Sequence, residues 1–207
     1  MMKYGRTFHL PTSPGTTSDD KIMTSLNGLM VDDLLVTEKM DGENTTIHCS
    51  GTHARSPDSR YHPSRNWIKR FAANISPFLA ENERIVGENL FARHSIAYDA
   101  LPSYFLGFAW VVDGEVRPWD LTLSRFKSLG ITPVPTLYRG PFKNGLFEDL
   151  ASELDTSKHE GFVVRVAGAY CEADMQTYMG KYVRKGHVQS DKHWMHADLI
   201  RNSLAPR

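Results

Sequence analysis

The sequence predicts an α+β fold with largely antiparallel sheets flanked by helices. Three observations support this prediction. Short apolar runs of strand composition outnumber the segments with helical spacing, and the turn residues between those runs are typical of antiparallel pairing. The 207 residues are 41% hydrophobic, which is enough to bury one sizeable core. We therefore expect a single domain over residues 1–207.

The first two predicted strands form a hairpin. Residues 31–37 and 44–49 contain β-branched and apolar side chains, and they flank the turn dipeptide Asp41-Gly42. This arrangement places Lys39 at the mouth of the hairpin. Four later runs also have strand composition, and they cover residues 84–90, 104–112, 161–166 and 178–184.

Three segments have the spacing of helices. In residues 64–79, apolar side chains recur every three or four positions, at Trp67, Phe71, Ile75 and Phe78 or Leu79. Residues 119–129 and 146–154 also predict helices. Beyond the last strand, His187, His193 and His196 match no zinc-ligand spacing. We expect the tail, residues 187–207, to cap that strand rather than to bind zinc.

Charge is balanced overall but segregated locally. Lys plus Arg and Asp plus Glu number 24 each, so no net field attracts nucleic acid or membranes. A first cationic cluster consists of Arg55, Arg60, Arg65, Lys69 and Arg70, and a second consists of Lys181, Arg184, Lys185 and Lys192. Such clusters suit a phosphate-rich ligand, and for the first cluster a solvated helix face is an equal alternative.

Cysteine usage and hydropathy predict a cytoplasmic protein. Cys49 and Cys171 have no Cys or His partner at zinc spacing, and they indicate no disulfide framework. No run approaches the roughly 20 apolar residues of a membrane span, and the N-terminus lacks the apolar core of a secretion signal. We expect no membrane partner.

Lys39 is a candidate nucleophile. A lysine at its ordinary pKa of about 10.4 is protonated and cannot attack, so its ammonium must be destabilised by partial burial or by a cation such as Lys181 or a metal. Glu88 and Glu160 each stand beside a glycine at a strand edge. If these carboxylates converge in the fold, they would hold Mg²⁺ or Mn²⁺ against a triphosphate. A single acid beside a glycine is more typical of a turn residue or an exposed charge.

Six short motifs follow one another along the chain. They are EKMDGEN, ARS, VGENL, YFLGFAW, HEGFVVR and GKYVRK, from Glu38 to Lys185. A lone K-x-D-G is weak evidence, whereas six motifs in one order are specific. The order resembles that of the covalent nucleotidyltransferases, most closely the ATP-dependent RNA ligases. The resemblance implies the nucleotidyltransferase (adenylyltransferase) domain of RNA and DNA ligases, with a motif core at about residues 36–186.

The resemblance also implies a role for each matched residue. Lys39 is similar to the lysine that takes AMP from ATP, with Glu38 at the adenine edge and Phe108 on the adenine face. Asn44 and Arg55 match residues that hold phosphate. Asn44 favours an RNA ligase, because a capping enzyme or DNA ligase does not need it there.

Three acids match metal or ribose contacts. Glu160 resembles the main metal-binding acid, Glu88 resembles a contact to the ribose or to a metal-bound water, and Asp41 is expected to act through water. Outward from Arg55, the basic residues Arg60, Arg65 and Lys69 lie on a predicted loop and helix face, where we expect them to bind the RNA backbone.

The last motif departs from the family pattern, which has two basic residues separated by one. We assign Lys181 to the α-phosphate, and its partner is Lys185 if strand alternation holds or Arg184 if a bulge intervenes. Only 22 residues follow Lys185, too few for an OB-fold or another C-terminal domain.

The function implied by the resemblance is ATP-dependent RNA ligation with Mg²⁺ or Mn²⁺, through lysyl-AMP and adenylylated RNA intermediates. The expected substrate is RNA with 5′-phosphate and 3′-hydroxyl ends. A separate end-healing kinase/phosphatase or a substrate-binding protein is a further expected partner, in RNA repair. Two alternatives stay open: an RNA-binding module that needs a partner domain to seal, and an AMP transferase with a non-RNA acceptor.

Overall fold

The computed structural model describes residues 3–55, 62–186 and 199–206, and it confirms the α+β class. In chain order, the described residues form strands β1 (Phe8–His9), β2 (Leu34–Glu38), β3 (Glu43–His48), β4 (Gly51–Ala54), β5 (Glu83–Asn89), β6 (Phe105–Val112), β7 (Glu115–Val116), β8 (Thr132–Pro133), β9 (Thr136–Gly140), β10 (Gly161–Val166), β11 (Tyr170–Cys171) and β12 (Met179–Val183). Their helices are α1 (Asn66–Ala73), α2 (Trp119–Leu129), α3 (Leu146–Glu153) and α4 (Met175–Tyr178).

The strands form two sheets. The first has the order β1-β12-β10-β2-β9, and the second has the order β11-β7-β6-β5-β3-β4 with β8 beside β6. All pairs are antiparallel in the described chain except β1 with β12 and β6 with β8. The prediction of largely antiparallel sheets is therefore confirmed.

The two sheets pack face to face. Alternate residues of a strand point to opposite sides of its sheet, so residues of β2 show what lies on each side. On β2, Leu34 and Val36 pack with α3 on the outer face of the first sheet. Leu35, between them, packs with Leu106 of the second sheet. Strand β2, which lies between β10 and β9, is buried along its whole length, which explains the run of apolar and β-branched residues from Leu34 to Thr37.

The predicted hairpin around Asp41-Gly42 is wrong. Strand β2 pairs with β9 and β10, whereas β3 pairs with β4 and β5, so the intervening residues carry the chain from one sheet to the other. Gly42 is needed for close packing, because a Cβ there would lie 2.6 Å from the Asn89 carbonyl oxygen. The Asp41-Gly42 dipeptide thus marks a crossover between the sheets, where the backbone at Gly42 packs against the backbone at Asn89.

The helix predicted over residues 64–79 is shorter than its periodicity indicates. Helix α1 ends at Ala73, and a separate 3-10 turn, Ser76–Phe78, follows it. Pro77 explains the break, since its ring clashes with the carbonyl group four residues earlier and it donates no hydrogen bond. Phe78 is 68% exposed, while Ile75 and Leu79 are buried as expected.

The described end of the chain packs away from the last strand. Arg93 donates its backbone N–H to Ile200, and the Asn202 side chain donates to the Leu90 carbonyl oxygen. Residues 199–206 therefore cover the segment after β5, so the predicted cap on the last strand is wrong for them. His187, His193, His196 and Lys192 lie outside the described residues.

Two smaller findings concern cysteines and hydropathy. Cys49 and Cys171 are both free cysteines, as expected from their isolation in the sequence. Within the described residues, no helix combines the length and the apolar character that a membrane crossing requires.

Phe162 anchors the outer face of the first sheet. Its ring is fully buried and stacks on Tyr182 with centroids 4.9 Å apart. We expect Phe162→Ala to lower the free energy of unfolding by about 3–5 kcal/mol, because the side chain leaves a cavity. The matched control Phe78→Ala removes an exposed ring and should change it by less than about 0.5 kcal/mol. Urea unfolding measures both, and equal effects would contradict this packing.

Candidate functional site

A cavity of about 550 Å³ lies between the two sheets. This volume is within the range of pockets that bind small molecules. Its walls come from the crossover after β2, from β3, β5, β6, β10 and β12, and from the N-terminal segment. Eight residues singled out in the sequence line it: Glu38, Lys39, Asn44, Arg55, Arg65, Glu88, Phe108 and Lys181.

Lys39 extends from the end of β2 into this cavity. Its backbone N–H donates to the Gly161 carbonyl oxygen at 3.0 Å, which fixes the crossover against β10. The side chain is 23% exposed, and Nζ donates to Glu160 Oε2 at 2.6 Å. The nucleophile candidate is therefore held by backbone pairing at its base and by a carboxylate at its tip.

The sequence led us to expect a destabilised ammonium group at Lys39, and the structure shows the opposite. Burial lowers its pKa, but Glu160, and then Glu88 and Asp41, raise it, and the net pKa is above the ordinary value. The nearby Lys181 does not outweigh these carboxylates. With no ligand present, Lys39 is an ammonium ion, and it becomes nucleophilic only if another cation takes over the negative charge around it.

Glu88 and Glu160 form the acidic side of the site. Glu160 is 6% exposed at the start of β10, and its carbonyl oxygen accepts the Arg184 backbone N–H. Burial raises the pKa of Glu88 to about 8, although Lys39 opposes this rise. This carboxylate lacks the positive charge that would keep it ionised at neutral pH.

These two carboxylates fit a hard divalent cation. Mg²⁺ and Mn²⁺ prefer oxygen ligands, and a cation beside Glu88 would supply the charge that its raised pKa shows to be lacking. In the part of the chain that the structure describes, no group of three or more His, Cys, Asp or Glu is already arranged to hold a metal. A metal would thus rest on protein carboxylates together with oxygens of a ligand.

Asp41 lies beside the cavity rather than on its wall. Its Oδ2 accepts the backbone N–H groups of Ser95 and Ile96, each at 2.7 Å, and its own N–H donates to the Tyr98 hydroxyl at 2.9 Å. These bonds tie the crossover to the segment after β5. The metal role of Asp41 stays a prediction.

Glu38 and Phe108 both line the cavity. Glu38 is buried, and its Oε1 lies 2.7 Å from His159 Nδ1. Phe108, on β6, is half-buried, and its ring is 5.7 Å from that of Tyr4. An aromatic face and a buried carboxylate in one cavity can together recognise the face and the edge of a purine.

Lys181, Arg55 and Asn44 provide polar contacts along the rest of the wall. Burial, and then repulsion by Lys39, lowers the pKa of Lys181, which is 20% exposed. Arg55 is exposed and donates its backbone N–H to the Asn44 carbonyl oxygen. The Asn44 Oδ1 atom is buried without a hydrogen-bond donor among the described residues, so a ligand hydroxyl could satisfy it.

The structure does not bring Arg184 or Lys185 to the cavity wall. Strand β12 ends at Val183, so strand alternation does not extend to Lys185, which is exposed in a turn. The register with β10 is regular, and no bulge redirects Arg184, which is buried and donates to the Lys185 and Gly186 carbonyl oxygens. Catalytic roles for these two residues stay predictions.

The three residues that we expected to bind the RNA backbone, Arg60, Arg65 and Lys69, differ in their surroundings. Arg60 lies outside the described residues. Lys69 is exposed on α1, as expected for a helix face. Arg65 is 9% exposed and pairs with Glu43 through Nε and Nη2, so the exposed position expected for it is wrong. RNA contacts by all three residues stay predictions.

Two contributions to the cavity were missed from the sequence. Tyr4, Gly5 and Thr7 line it from the N-terminal segment, which carries no catalytic motif. Arg165 of β10 also lines it, 4% exposed and 4.8 Å above the Trp119 ring. A single cation in an otherwise apolar strand was a usable signal for Arg165, whereas nothing local indicated the N-terminal residues.

Comparison with known proteins identifies the family and the fold of the chain. The family model described as RNA ligase matches residues 32–183, well over half of the chain. An archaeal ATP-dependent RNA ligase structure matches with a TM-score of 0.61 and 17% identity, covering 89% of this chain and 48% of that chain. The Naegleria gruberi RNA ligase, as a lysine variant with ATP and Mn, matches with a TM-score of 0.55 and 17% identity, covering 78% and 52%.

These solved structures establish the shared fold. The chain spans about half the length of each of them. No curated protein sequence matches the chain at a significant level.

Substitution of Asp41 tests whether its hydrogen bonds stabilise the crossover that carries Lys39. Asp41→Ala should lower the free energy of unfolding by about 1–3 kcal/mol, because two backbone N–H groups lose their acceptor. Asp41→Asn retains a side-chain oxygen and should lose less. Thermal and urea unfolding of both variants check this, and a loss in Asp41→Asn equal to that in Asp41→Ala would show that the hydrogen bonds are not the cause.

Proposed function

This chain belongs to the RNA ligase family, and from that premise we propose that it is an ATP-dependent RNA ligase. It joins a 3′-hydroxyl end to a 5′-phosphate end through a lysyl-AMP intermediate and an adenylylated RNA. We further propose that residues 1–207 act as one nucleotidyltransferase domain, with the motif core at residues 36–186 and a tail at residues 187–207.

One observation carries the proposal. The Lys39 ammonium group is ion-paired with Glu160 inside a cavity of nucleotide size, whose wall also presents Glu88, Phe108 and Lys181. A lysine that served only to stabilise the fold would need one carboxylate and no cavity. The combination of an amine, an aromatic face and a second cation fits covalent capture of a nucleotide.

In the first step, the Nζ lone pair of Lys39 attacks the α-phosphorus of ATP. An N–P bond forms, the bond from the α-phosphorus to the bridging oxygen breaks, and pyrophosphate leaves. Nζ loses two protons to water in becoming the phosphoramide nitrogen, and the first can leave through the hydrogen bond that Glu160 accepts from it. Lys181 neutralises charge on the α-phosphate, which is the main need of phosphoryl transfer.

A divalent cation bound by Glu88 and Glu160 would offset the charge of the triphosphate. The chain's own residues bind and align the nucleotide. Phe108 stacks on the base, Glu38 meets its edge, and Asn44 accepts from a ligand hydroxyl, because its Oδ1 has no donor in the described structure.

The next two steps use RNA. An oxygen of the 5′-phosphate attacks the AMP phosphorus, the N–P bond breaks, and Lys39 is regenerated. A 3′-hydroxyl then attacks the phosphorus of the RNA 5′-phosphate, loses its proton, and displaces AMP. Arg55 lies on the cavity wall and is exposed, so it can contact both the nucleotide and the arriving RNA end.

A second candidate function is RNA binding that needs a partner domain to seal. Transfer of AMP to a non-RNA acceptor is the third possibility. Incubation with labelled ATP, with and without 5′-phosphorylated RNA, separates these: a ligase forms the protein adduct, discharges it to RNA, and seals.

The proposed setting is RNA repair in the cytoplasm. A separate kinase/phosphatase that prepares the ends, or a substrate-binding protein, would then act with this chain. Lys69, exposed on α1, would contact the RNA backbone together with Arg60, whereas the Arg65 side chain is held by Glu43.

Lys39→Ala should abolish the covalent adduct with AMP, because no other amine occupies its position. Intact mass measurement after incubation with ATP and Mg²⁺ or Mn²⁺ should show one added AMP in the parent protein only. The control Lys69→Ala removes an exposed lysine and should form the adduct normally. An adduct of equal yield in Lys39→Ala would end the proposal.

Arg55→Ala should slow the transfer of AMP to RNA more than the loading of Lys39. We expect a loss of roughly 10- to 100-fold in the transfer step, the size of one lost charge-assisted hydrogen bond. Single-turnover discharge of the preformed adduct to 5′-phosphorylated RNA measures it. Arg70→Ala, at an exposed residue of α1, is the matched control, and equal transfer rates in the two variants would remove Arg55 from the site.

A further inference from the structure

The N-terminal strap, residues 3–24, is built onto the strand that carries Lys181. Strand β1 pairs in parallel with β12, with His9 opposite Lys181. The Leu10 N–H donates to the Lys181 carbonyl oxygen at 2.8 Å, and the Gly15 N–H donates to that of Val183 at 2.9 Å. The strap lies outside residues 32–183, the part matched by the family model.

Close packing shows that this attachment is specific. Any Cβ on Gly15 would overlap the backbone oxygens of Val183 and Arg184, so only glycine allows the strap to approach so near. The Ser13 hydroxyl accepts the Val183 N–H at 2.9 Å and contacts His9 Nδ1 at 2.9 Å. The strap is thus a fixed neighbour of β12.

Asp20, in this strap, directs one carboxylate oxygen at two cations and a histidine. Its Oδ1 lies 3.0 Å from Arg6 Nη2, 3.4 Å from His9 Nε2 and 4.0 Å from Lys181 Nζ. Its Oδ2 accepts both the backbone N–H and the hydroxyl of Thr17, at 3.0 and 2.9 Å. The carboxylate is therefore fixed in orientation, with one oxygen directed at the Lys181 ammonium group.

The charges around Asp20 keep it ionised. Burial raises its pKa, but the hydrogen bonds from Thr17 and Arg6 and the nearby His9 hold the pKa well below its usual range. Burial and Lys39 lower the pKa of Lys181, and Asp20 is the first of the groups that oppose this. Asp20 is thus a counter-charge to Lys181 that does not itself line the cavity.

We propose that Asp20 is a positioning residue for Lys181, which makes the N-terminal strap part of the catalytic site. The proposal rests on the proposed function, in which Lys181 neutralises the α-phosphate. Asp20 attracts the Lys181 ammonium group from the strap, with Oδ1 4.0 Å from Nζ. The lysine is then oriented by this carboxylate before ATP arrives.

A purely structural role for Asp20 makes a different prediction. If Asp20 only held the strap in place through Arg6 and Thr17, its loss would lower activity regardless of which residue stands at position 181. If it acts through Lys181, its loss matters only while Lys181 is present. A double-mutant cycle separates these two cases.

The experiment compares Asp20→Asn, Lys181→Ala and the double variant by the rate of Lys39 adduct formation with ATP and Mg²⁺. We expect Asp20→Asn to reduce the rate at saturating ATP by about 10-fold, and Lys181→Ala by about 100-fold or more. In the Lys181→Ala background, Asp20→Asn should have less than about a 2-fold further effect. The ATP concentration for half-maximal rate should change little in Asp20→Asn.

Asp19→Asn is the matched control, because Asp19 is the exposed neighbour of Asp20 and should leave the rate unchanged. Asp20→Asn retains an oxygen for the Thr17 hydrogen bonds, and thermal unfolding reports whether it folds. If it does not, Asp20→Ser removes the charge, keeps an oxygen near Thr17 and serves in the same cycle.

The outcomes are distinct. The same fold-loss in both backgrounds, or an Asp20→Asn rate equal to that of the parent protein, would overturn the positioning role. Failure of the parent protein to form any adduct would instead overturn the proposed function, because then there is no lysyl-AMP step for Lys181 to assist.

Discussion

The passage of the chain from one sheet to the other at residues 39–42 is the constraint on which the site depends. Strand β2 is enclosed by β9 and β10, and β3 is enclosed by β4 and β5, so the crossover can take only one path. The Lys39 N–H bonds the first sheet, and Gly42 packs against the second. The nucleophile candidate therefore lies where the inner faces of both sheets meet, and side chains from either sheet can reach the same ligand.

Each lysine at the cavity has a carboxylate of opposite charge near it. Lys39 faces Glu160, and Lys181 faces Asp20, while Glu88 is left with a raised pKa. Lys39 is thus stabilised as a cation, whereas burial and Lys39 lower the pKa of Lys181 and Asp20 only opposes that effect. Under the proposed function, a triphosphate with its counter-cation would redistribute these interactions, because the phosphates would attract the lysines and the metal would attract the carboxylates.

The sequence predicted the local elements well and their pairing less well. Residues 161–166 and 119–129 match β10 and α2 at both ends, because apolar periodicity and flanking glycines act over a few positions. The Asp41-Gly42 dipeptide was misleading, since the reason for that glycine is the Asn89 backbone in another sheet. Arg65 shows the same limit: its partner Glu43 is 22 residues away, and no local pattern encodes that pair.

The residues that line the cavity were predictable where the motifs marked them. The position of Asp20 beside Lys181 was not predictable, because it arises only when the strap pairs with β12.

The pairing of β1 with β12 also bears on how the protein is made. Phe8 lies opposite Gly180, so almost the entire chain must be synthesised before this edge of the first sheet can form. Closing so long a loop is entropically costly and slow compared with forming hairpins such as β3 with β4. During translation, the second sheet can assemble from neighbouring segments while the first still lacks its edge. Lys181 lies on β12, so the cavity wall is complete only once this late segment has paired with β10.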